Sequence, residues 1–153
     1  GTCYSCHTLD YVQGAGALGT SMINPSARGG IFNLIKAANG GTTPTIKADP
    51  SFAADIQEIL NRRGCSDSFC HGSTREAGLD LRTGASYAAL VNVPSSQTGT
   101  LRVIPGNADG SYLIMKVEGR AAAGARMPVG GAALSTVDLT NLKNWINQGA
   151  KNN

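Results

Sequence analysis

The sequence predicts an all-α fold with long loops, and three observations support this prediction. Apolar residues recur three and four positions apart in several segments, which is the spacing of one helix face. The alternation of apolar and polar residues that is typical of β-strands is weak throughout the chain. Glycine directly follows several of the helical segments, for example at Gly64, Gly119 and Gly149, as it commonly does at helix ends.

The first apolar stretch covers residues 31–35, and the Asn-Gly-Gly sequence at residues 39–41 is typical of a helix end. We expect the next helix to begin at Asp49, an N-cap, with Pro50 at the first helical position. This helix should end at Gly64. Its apolar face consists of Phe52, Ile56, Ile59 and Leu60.

Three further helices are predicted downstream. Residues 86–92 form the first, and the second follows residues 107–110 and ends at Gly119. The third begins at Ser135, which can form a capping-box-like start with Asp138. The inward residues should be Tyr87, Leu90 and Val91 in the first, Tyr112, Leu113, Met115 and Val117 in the second, and Leu139, Leu142, Trp145 and Ile146 in the third.

The composition excludes several classes of protein. The 153 residues include 13 Lys and Arg and 10 Asp and Glu, and because the two signs are interspersed we expect no nucleic-acid partner. The apolar runs are only a few residues long, so no membrane span is expected. Aromatic residues make up 5% of the chain and glycines number 20, which leaves a core short of large side chains and makes a bulky apolar cofactor plausible.

The first cysteine pair is followed at once by a histidine. Cys3, Cys6 and His7 form a C-x-x-C-H motif, which is the attachment signature of c-type haem. Two thiols one helical turn apart can reach the two vinyl groups of the porphyrin and form thioethers. The adjacent imidazole can then bind the iron as an axial ligand.

The second cysteine pair also ends in Cys-His, and the chain contains no other histidine. Cys65, Cys70 and His71 form a C-x4-C-H motif with two additional residues between the thiols. These two residues would have to bulge outward so that Cys65 still reaches its vinyl group. A single thioether at Cys70, with Cys65 serving elsewhere, is the alternative. Together the two motifs predict two covalently attached haem c groups.

The four cysteines allow other interpretations. A structural zinc site could use Cys3, Cys6, Cys65 and Cys70, because both spacings occur among zinc ligands. Two disulfides in a secreted protein would use the same residues. Both alternatives leave the adjacent histidines unexplained. A thioredoxin-like redox motif would require a βαβ pattern around the first pair, and the Gly- and Ala-rich flank does not supply one.

The chain divides near residues 42–45, whose Thr-Thr-Pro-Thr sequence is typical of a linker. We expect residues 1–48 to form an N-terminal haem-binding segment and residues 49–153 to form a second domain. Forty-eight residues cannot enclose a haem alone, so the first haem should share walls with the rest of the chain or with another protein.

A longer pattern runs through the second domain. It consists of Phe52, Asp55, Ile56, Ile59 and Leu60, then Cys70-His71-Gly72, Gly78-Leu79-Asp80-Leu81, Tyr87, Leu90-Val91-Asn92-Val93, Pro105-Gly106, Ser111-Tyr112-Leu113, Met127-Pro128, Trp145-Ile146 and Gly149-Ala150. In this combination residues 52–153 resemble a class I cytochrome c module, and the N-terminal segment resembles the opening of another one. The C-x4-C-H spacing departs from the family pattern. The resemblance implies a cytochrome c-like helical fold around covalently attached haem.

The resemblance also implies a distal methionine ligand. Met127, which precedes Pro128, has the matching position, and a thioether suits haem iron. For the first haem the candidates are Met22, which follows His7 by fifteen residues, and Met115, whose default role is core packing; an open or borrowed position is the alternative. Candidates to contact the haem carboxylates are Arg75, Arg82, Arg102 and Arg126.

The expected function is therefore that of a dihaem c-type cytochrome that carries single electrons and is not an enzyme. Its partners would be redox proteins or copies of itself, including a homopolymer. Because haem is attached outside the cytoplasmic membrane, we expect a periplasmic or extracellular location and a signal peptide that has been removed. One alternative is a peroxidase-type haem enzyme in which one haem iron has an open coordination position. The other is a structural module stabilised by zinc.

Overall fold

The computed structural model of the protein describes residues 44–153, and this part is a compact unit. The apolar stretch at residues 31–35 and the first haem motif lie outside the described residues. A π-helical turn, Phe52–Ile56, continues directly into helix α1, Gln57–Arg62. A single turn at Glu76–Gly78 follows, and then come α2 at Ser86–Leu90, α3 at Tyr112–Glu118 and α4 at Thr136–Asn147.

The regular structure of residues 44–153 is helical, which agrees with the all-α prediction. Within this range strand pairing is limited to isolated bridges: Val91 with Val103, Pro94 with Leu101, and Ile104 with Asn107. None of the helices in the described range combines the length and the apolar character that crossing a lipid bilayer requires.

The first helix begins two residues later than the sequence predicts. Ser51, not Asp49, is the N-cap, because its Oγ accepts a hydrogen bond from the Ala54 N–H and its own N–H donates to Asp55 Oδ2 at 2.9 Å. Pro50 is buried just outside the helix. Gly64 ends the helical segment as predicted. Its φ of +71° belongs to the left-handed region, and the chain then turns so that the Cys65 N–H donates to the Leu60 carbonyl.

Helix α2 ends at Leu90, two residues before the predicted end. Val91 is extended, with φ −78° and ψ 121°, because this part of the chain pairs with residues around Val103. The Asn92 N–H donates to the Val103 carbonyl, and the Val103 N–H donates to the Leu90 carbonyl. The pairing with a distant segment therefore decides where this helix stops.

Helix α3 is buried on more sides than the apolar pattern predicts. Ile114 is fully buried although it was not among the expected inward residues, whereas Leu113, Met115 and Val117 are only partly buried. The segment at residues 101–102 bonds to the first turn of α3, and α4 packs against another side. A short helix that lies between two neighbours has no single apolar face.

Helix α4 begins at the predicted cap and is tied to α1 by its acidic residue. The Ser135 Oγ accepts a hydrogen bond from the Asp138 N–H at 3.1 Å, as predicted. The Asp138 carboxylate is 1% exposed and accepts a bond from Arg62 Nη2 at 2.7 Å. This carboxylate raises the pKa of the Arg62 guanidinium further above its ordinary value.

An aromatic cluster joins the start of the helical segment to α4. The Phe52 ring lies 5.1 Å from that of Tyr87, in an edge-to-face arrangement, and 5.2 Å from that of Trp145. The Tyr87 hydroxyl donates to the Ala150 carbonyl. The buried core around this cluster includes Ile56, Ile59, Leu60, Leu81, Leu90, Val103, Ala108, Ile114, Leu142, Ile146 and Ala150.

The residues before the predicted domain start are bonded to α4. The Lys47 N–H donates to Asn141 Oδ1 at 2.8 Å, and Asn141 Nδ2 donates to the Thr45 carbonyl at 2.9 Å. The compact unit accordingly begins at Pro44. The division of the chain into an N-terminal haem-binding segment and a second domain stays a prediction, because residues 1–43 lie outside the described range.

Replacement of Ile114 by Ala should lower the free energy of unfolding by about 2–5 kcal/mol, since the change leaves a cavity in a closely packed core. The matched control is Ile46→Ala, because Ile46 is 56% exposed and its truncation should change stability by less than about 0.5 kcal/mol. Chemical denaturation of the full chain measures both values. Equal effects of the two substitutions would contradict the assigned core.

Candidate functional site

Besides Met115 and the four candidate arginines, the structure describes four of the predicted site residues: Cys65, Cys70, His71 and Met127. Cys3, Cys6, His7 and Met22 lie outside the described residues. Cys65 follows the end of α1, Cys70 and His71 lie in the loop after it, and Met127 lies in the long loop between α3 and α4.

The loop between the two cysteines is closed by a main-chain hydrogen bond. The His71 N–H donates to the Cys65 carbonyl at 3.1 Å, which brings the first cysteine back to the histidine across the four residues between the two cysteines and Cys70 itself. Three of the intervening residues, Asp67, Ser68 and Phe69, are exposed, and Phe69 is 89% exposed. The additional residues of the C-x4-C-H motif therefore bulge outward.

Further main-chain bonds hold the interior of this loop. The Asp67 carbonyl accepts bonds from the N–H groups of Cys70 and Gly72, at 2.9 and 3.0 Å. The backbone approaches itself so closely here that a Cβ on Gly72 would lie 2.4 Å from the Ser66 carbonyl oxygen. Thr74 Oγ1 donates to the Ser68 carbonyl at 2.7 Å. The loop thus has a specific conformation for which glycine at position 72 is required.

The imidazole of His71 is oriented by its Nδ1 atom. Nδ1 lies 2.9 Å from the Glu76 carbonyl oxygen. Because a carbonyl can only accept, Nδ1 carries the proton in this bond, and a neutral ring then has a free lone pair on Nε2. Burial lowers the pKa of His71 below its ordinary value, and the charges of Arg102 and Lys116 act in the same direction. The neutral ring can therefore offer the lone pair of Nε2 to a metal ion.

The main chain of His71 is anchored to the core. The Leu81 N–H donates to the His71 carbonyl at 2.7 Å, and Leu81 is 2% exposed. Gln57 Nε2, which is on α1, donates to the Leu81 carbonyl at 3.0 Å. The buried side chain of Gln57 thus connects α1, which precedes the loop of residues 65–71, to the segment at Leu81, which follows it.

The two thiols differ in their environment. Cys65 is half-buried against the core, and burial raises its pKa to about 11. Cys70 is exposed. The two thiols lie near enough for the charge of Cys70 to contribute to the raised pKa of Cys65, yet both are free and form no disulfide.

Met127 is half-buried in a loop that is bonded to α3 and to Arg63, the residue that follows α1. Its N–H donates to the Lys116 carbonyl at 3.0 Å. Further along the same loop, Arg63 Nη2 donates to the Ala133 carbonyl at 2.6 Å, and Arg63 lies two residues before Cys65. Met115 is half-buried within α3.

Two buried cations lie near enough to His71 for their charges to lower its pKa. Arg102 and Lys116 are each 8% exposed, and among residues 44–153 neither forms an ion pair with a carboxylate. Lys116 Nζ donates to the Ala123 carbonyl at 3.1 Å. Of the other arginines proposed to contact haem carboxylates, Arg75 and Arg82 pair with Asp80, and Arg126 donates to the Gly131 carbonyl.

These residues fit a covalently attached haem. Two free thiols flank a closed loop, a neutral imidazole presents Nε2, and the thioether of Met127 lies in a loop that is bonded to Arg63 at Ala133. Soft sulfur and imidazole nitrogen are the ligands that haem iron takes. Within the described range no three His, Cys, Asp or Glu side chains form a cluster that could hold a metal ion. The alternative zinc site would draw two of its four ligands from residues 1–43.

Comparison of the chain with protein-family models, curated proteins and solved structures finds no match. The assignment of a function therefore depends on the motifs and on the geometry of the site.

Sequence reasoning missed several residues that shape the site. Glu76, Leu81 and Gln57 contribute through main-chain groups or through a buried amide, and no motif identifies such roles. Gly72 was noted only as part of the family pattern, although its close backbone approach explains why glycine occupies that position. Lys116 lies within an apolar helical pattern, where a buried cation is not expected.

We expect Gly72→Ala to lower the free energy of unfolding by about 1–3 kcal/mol, because the new methyl group would overlap two main-chain oxygens that cannot move away cheaply. The neighbouring substitution Ser73→Ala, at an exposed position, serves as the control and should change stability by less than about 0.5 kcal/mol. Denaturant unfolding followed by circular dichroism measures the difference. Wild-type stability of Gly72→Ala would contradict the loop geometry.

Proposed function

We propose that the protein is a dihaem c-type cytochrome that carries single electrons, with a cytochrome c-like fold over residues 49–153. The observation that carries this proposal is the closed C-x4-C-H loop. In this loop the His71 N–H bonds to the Cys65 carbonyl, and the Nδ1–H bonds to the Glu76 carbonyl. The first bond accommodates the unusual spacing of the motif. The second leaves Nε2 free to bind a metal.

Cys65 and Cys70 would hold the porphyrin of the second haem through thioethers, and His71 Nε2 and the Met127 thioether would be the ligands of its iron. Haem c, when bound, supplies an iron that alternates between the ferric and ferrous states. A His/Met ligand pair favours a higher reduction potential than a His/His pair.

The chain's own residues prepare the site for this role. The Glu76 carbonyl fixes the tautomer and the orientation of the imidazole, and a bond of this kind raises the basicity of a metal-bound ring. Burial keeps His71 neutral at physiological pH, so the ring does not need to lose a proton before it binds. Leu81 and Gln57 hold the main chain of His71 against the core, which limits its movement when the charge of the metal changes.

The same proposal assigns Cys3, Cys6 and His7 to the first haem, with Met22 or Met115 as candidate sixth ligands or with that position open or borrowed. Attachment of haem c outside the cytoplasmic membrane implies a periplasmic or extracellular location. The partners would be redox proteins or further copies of this chain, which includes assembly into a polymer.

The deciding experiment is an intact mass and a visible spectrum of the chain after export in a host that matures c-type cytochromes. We expect a mass increase equal to two haems. Cys70→Ala should remove one thioether of the second haem. When Cys65 is replaced as well, no thioether to that haem remains, and acid–acetone extraction should release it. A colourless product with the bare polypeptide mass would overturn the proposal, and bound zinc in such a product would establish the structural alternative.

Met127→Leu should remove the contribution of the second haem to the methionine–iron charge-transfer band of the ferric protein and lower the midpoint potential of that haem, because its thioether ligand is lost. Met115→Leu is the matched control, since it removes the same thioether from α3. If Met115 is not a ligand of the first haem, this control leaves both quantities unchanged. A band that persists in Met127→Leu and disappears in Met22→Leu or Met115→Leu would assign the ligand differently.

A further inference from the structure

The turn that supplies the carbonyl partner of His71 is conformationally strained. Arg75 and Ala77 have φ values of +52° and +55°, and Gly78 has a φ of +67°. For a residue with a Cβ, the left-handed region costs about 1–2 kcal/mol. Two such residues on either side of Glu76 persist only where surrounding contacts determine the conformation. The position of the Glu76 carbonyl therefore depends on whatever holds this turn.

Local main-chain bonds support the turn, since the Glu76 N–H donates to the Cys70 carbonyl at 3.1 Å and the Leu79 N–H donates to the Glu76 carbonyl at 3.2 Å. The side-chain contacts that hold it come from a distant segment. The Ala77 carbonyl accepts a hydrogen bond from Arg102 Nη2 at 3.1 Å and another from Ser96 Oγ at 2.9 Å. The same Nη2 atom lies 3.4 Å from the Gly78 carbonyl oxygen. The other branch of the guanidinium, Nη1, donates to the Ala89 carbonyl in α2 at 2.9 Å. Arg102 thus joins the turn to a helix of the core.

The position of Arg102 is itself well determined. The Arg102 N–H donates to the Val93 carbonyl at 2.8 Å, and the next residue, Val103, is fully buried and bonded to the Leu90 carbonyl. The side chain is 8% exposed, and in residues 44–153 all its hydrogen-bond partners are main-chain carbonyls. The guanidinium donates to two loop carbonyls and one helix carbonyl. Because its donors have a rigid planar geometry, such a buried group is suited to fixing the backbone.

We propose that Arg102, assisted by Ser96, is a positioning residue for His71. It holds the turn at residues 75–78 so that the Glu76 carbonyl accepts the hydrogen bond from Nδ1, and thereby it sets the orientation and basicity of the imidazole. The importance of this role for electron transfer rests on the proposed function, because only a metal-bound His71 passes the effect to a reduction potential. The geometric role of Arg102 does not depend on haem.

The test compares Arg102→Lys, Arg102→Gln and Ser96→Ala in the full chain. Lysine keeps the positive charge but cannot donate to both sets of carbonyls with a planar fork. The control is Arg120→Gln, which changes the charge equally at an exposed arginine that already has carboxylate partners, Glu118 and Asp109. The first readout is hydrogen exchange of the His71 Nδ1 proton by NMR, in the ferrous protein or, where no haem is attached, in the haem-free chain.

We expect both Arg102 variants to accelerate this exchange about tenfold, the size expected for the loss of a hydrogen bond made by a charged group. Ser96→Ala should give a smaller acceleration, about threefold, because a neutral bond is lost at an exposed position. The midpoint potential of the His71 haem should rise in Arg102→Lys, since a weaker bond at Nδ1 makes the imidazole a poorer donor. Arg120→Gln should change neither quantity.

The outcomes separate the proposal from its alternatives. Wild-type exchange and potential in Arg102→Lys, with a change in Arg102→Gln alone, would assign Arg102 a purely electrostatic role and overturn the proposal. Lower stability without faster exchange would overturn it in the same way. If Arg102→Gln does not fold, Ser96→Ala decides the question. A bare polypeptide mass would reject the proposed function, and the exchange measurement on the haem-free chain would still test the positioning role.

Discussion

The hydrogen bond from the His71 N–H to the Cys65 carbonyl is the constraint on which the rest of the site depends. It closes a loop of seven residues and forces the additional residues of the motif outward, where Asp67, Ser68 and Phe69 are exposed. This closure adds a direct bond between the two ends of the loop to the indirect link from Gln57 of α1 through Leu81 to the His71 carbonyl. With it, every contact that fixes either end of the loop also fixes the other.

The side-chain contacts around this loop have one chemical feature in common. In each of them a polar side chain donates to a main-chain carbonyl of a loop. Arg63 bonds to Ala133, Gln57 to Leu81 and Arg102 to Ala77. Loop carbonyls have no partner in a helical ladder, so side chains can bond to them. A fold with short helices and long loops therefore depends on polar side chains that extend from the helices and from the paired segments around Val103.

The core stabilises this arrangement with few large side chains. Phe52, Tyr87 and Trp145 meet where the helical segment begins, and the polar atoms of two of them are bonded to carbonyls near the end of the chain, at Ala150 and Lys151. The aromatic residues thus pack and also hold the backbone after α4. The backbone after α4 is also bonded to the start of the helical segment, because the Phe52 N–H donates to Asn153 Oδ1 at 3.0 Å.

The sequence by itself determined the helical character of residues 44–153, the glycine end at Gly64 and the cap at Ser135, because periodicity and capping are local properties. It also determined the residue types of the site, since Cys-His adjacency is visible without a structure. Only the tertiary structure decided that α2 stops at Leu90, that Ile114 is central to the core, and that the Glu76 carbonyl orients His71. Those outcomes follow from contacts between segments far apart in the chain, and main-chain carbonyls, which every residue carries, leave no signature in a sequence.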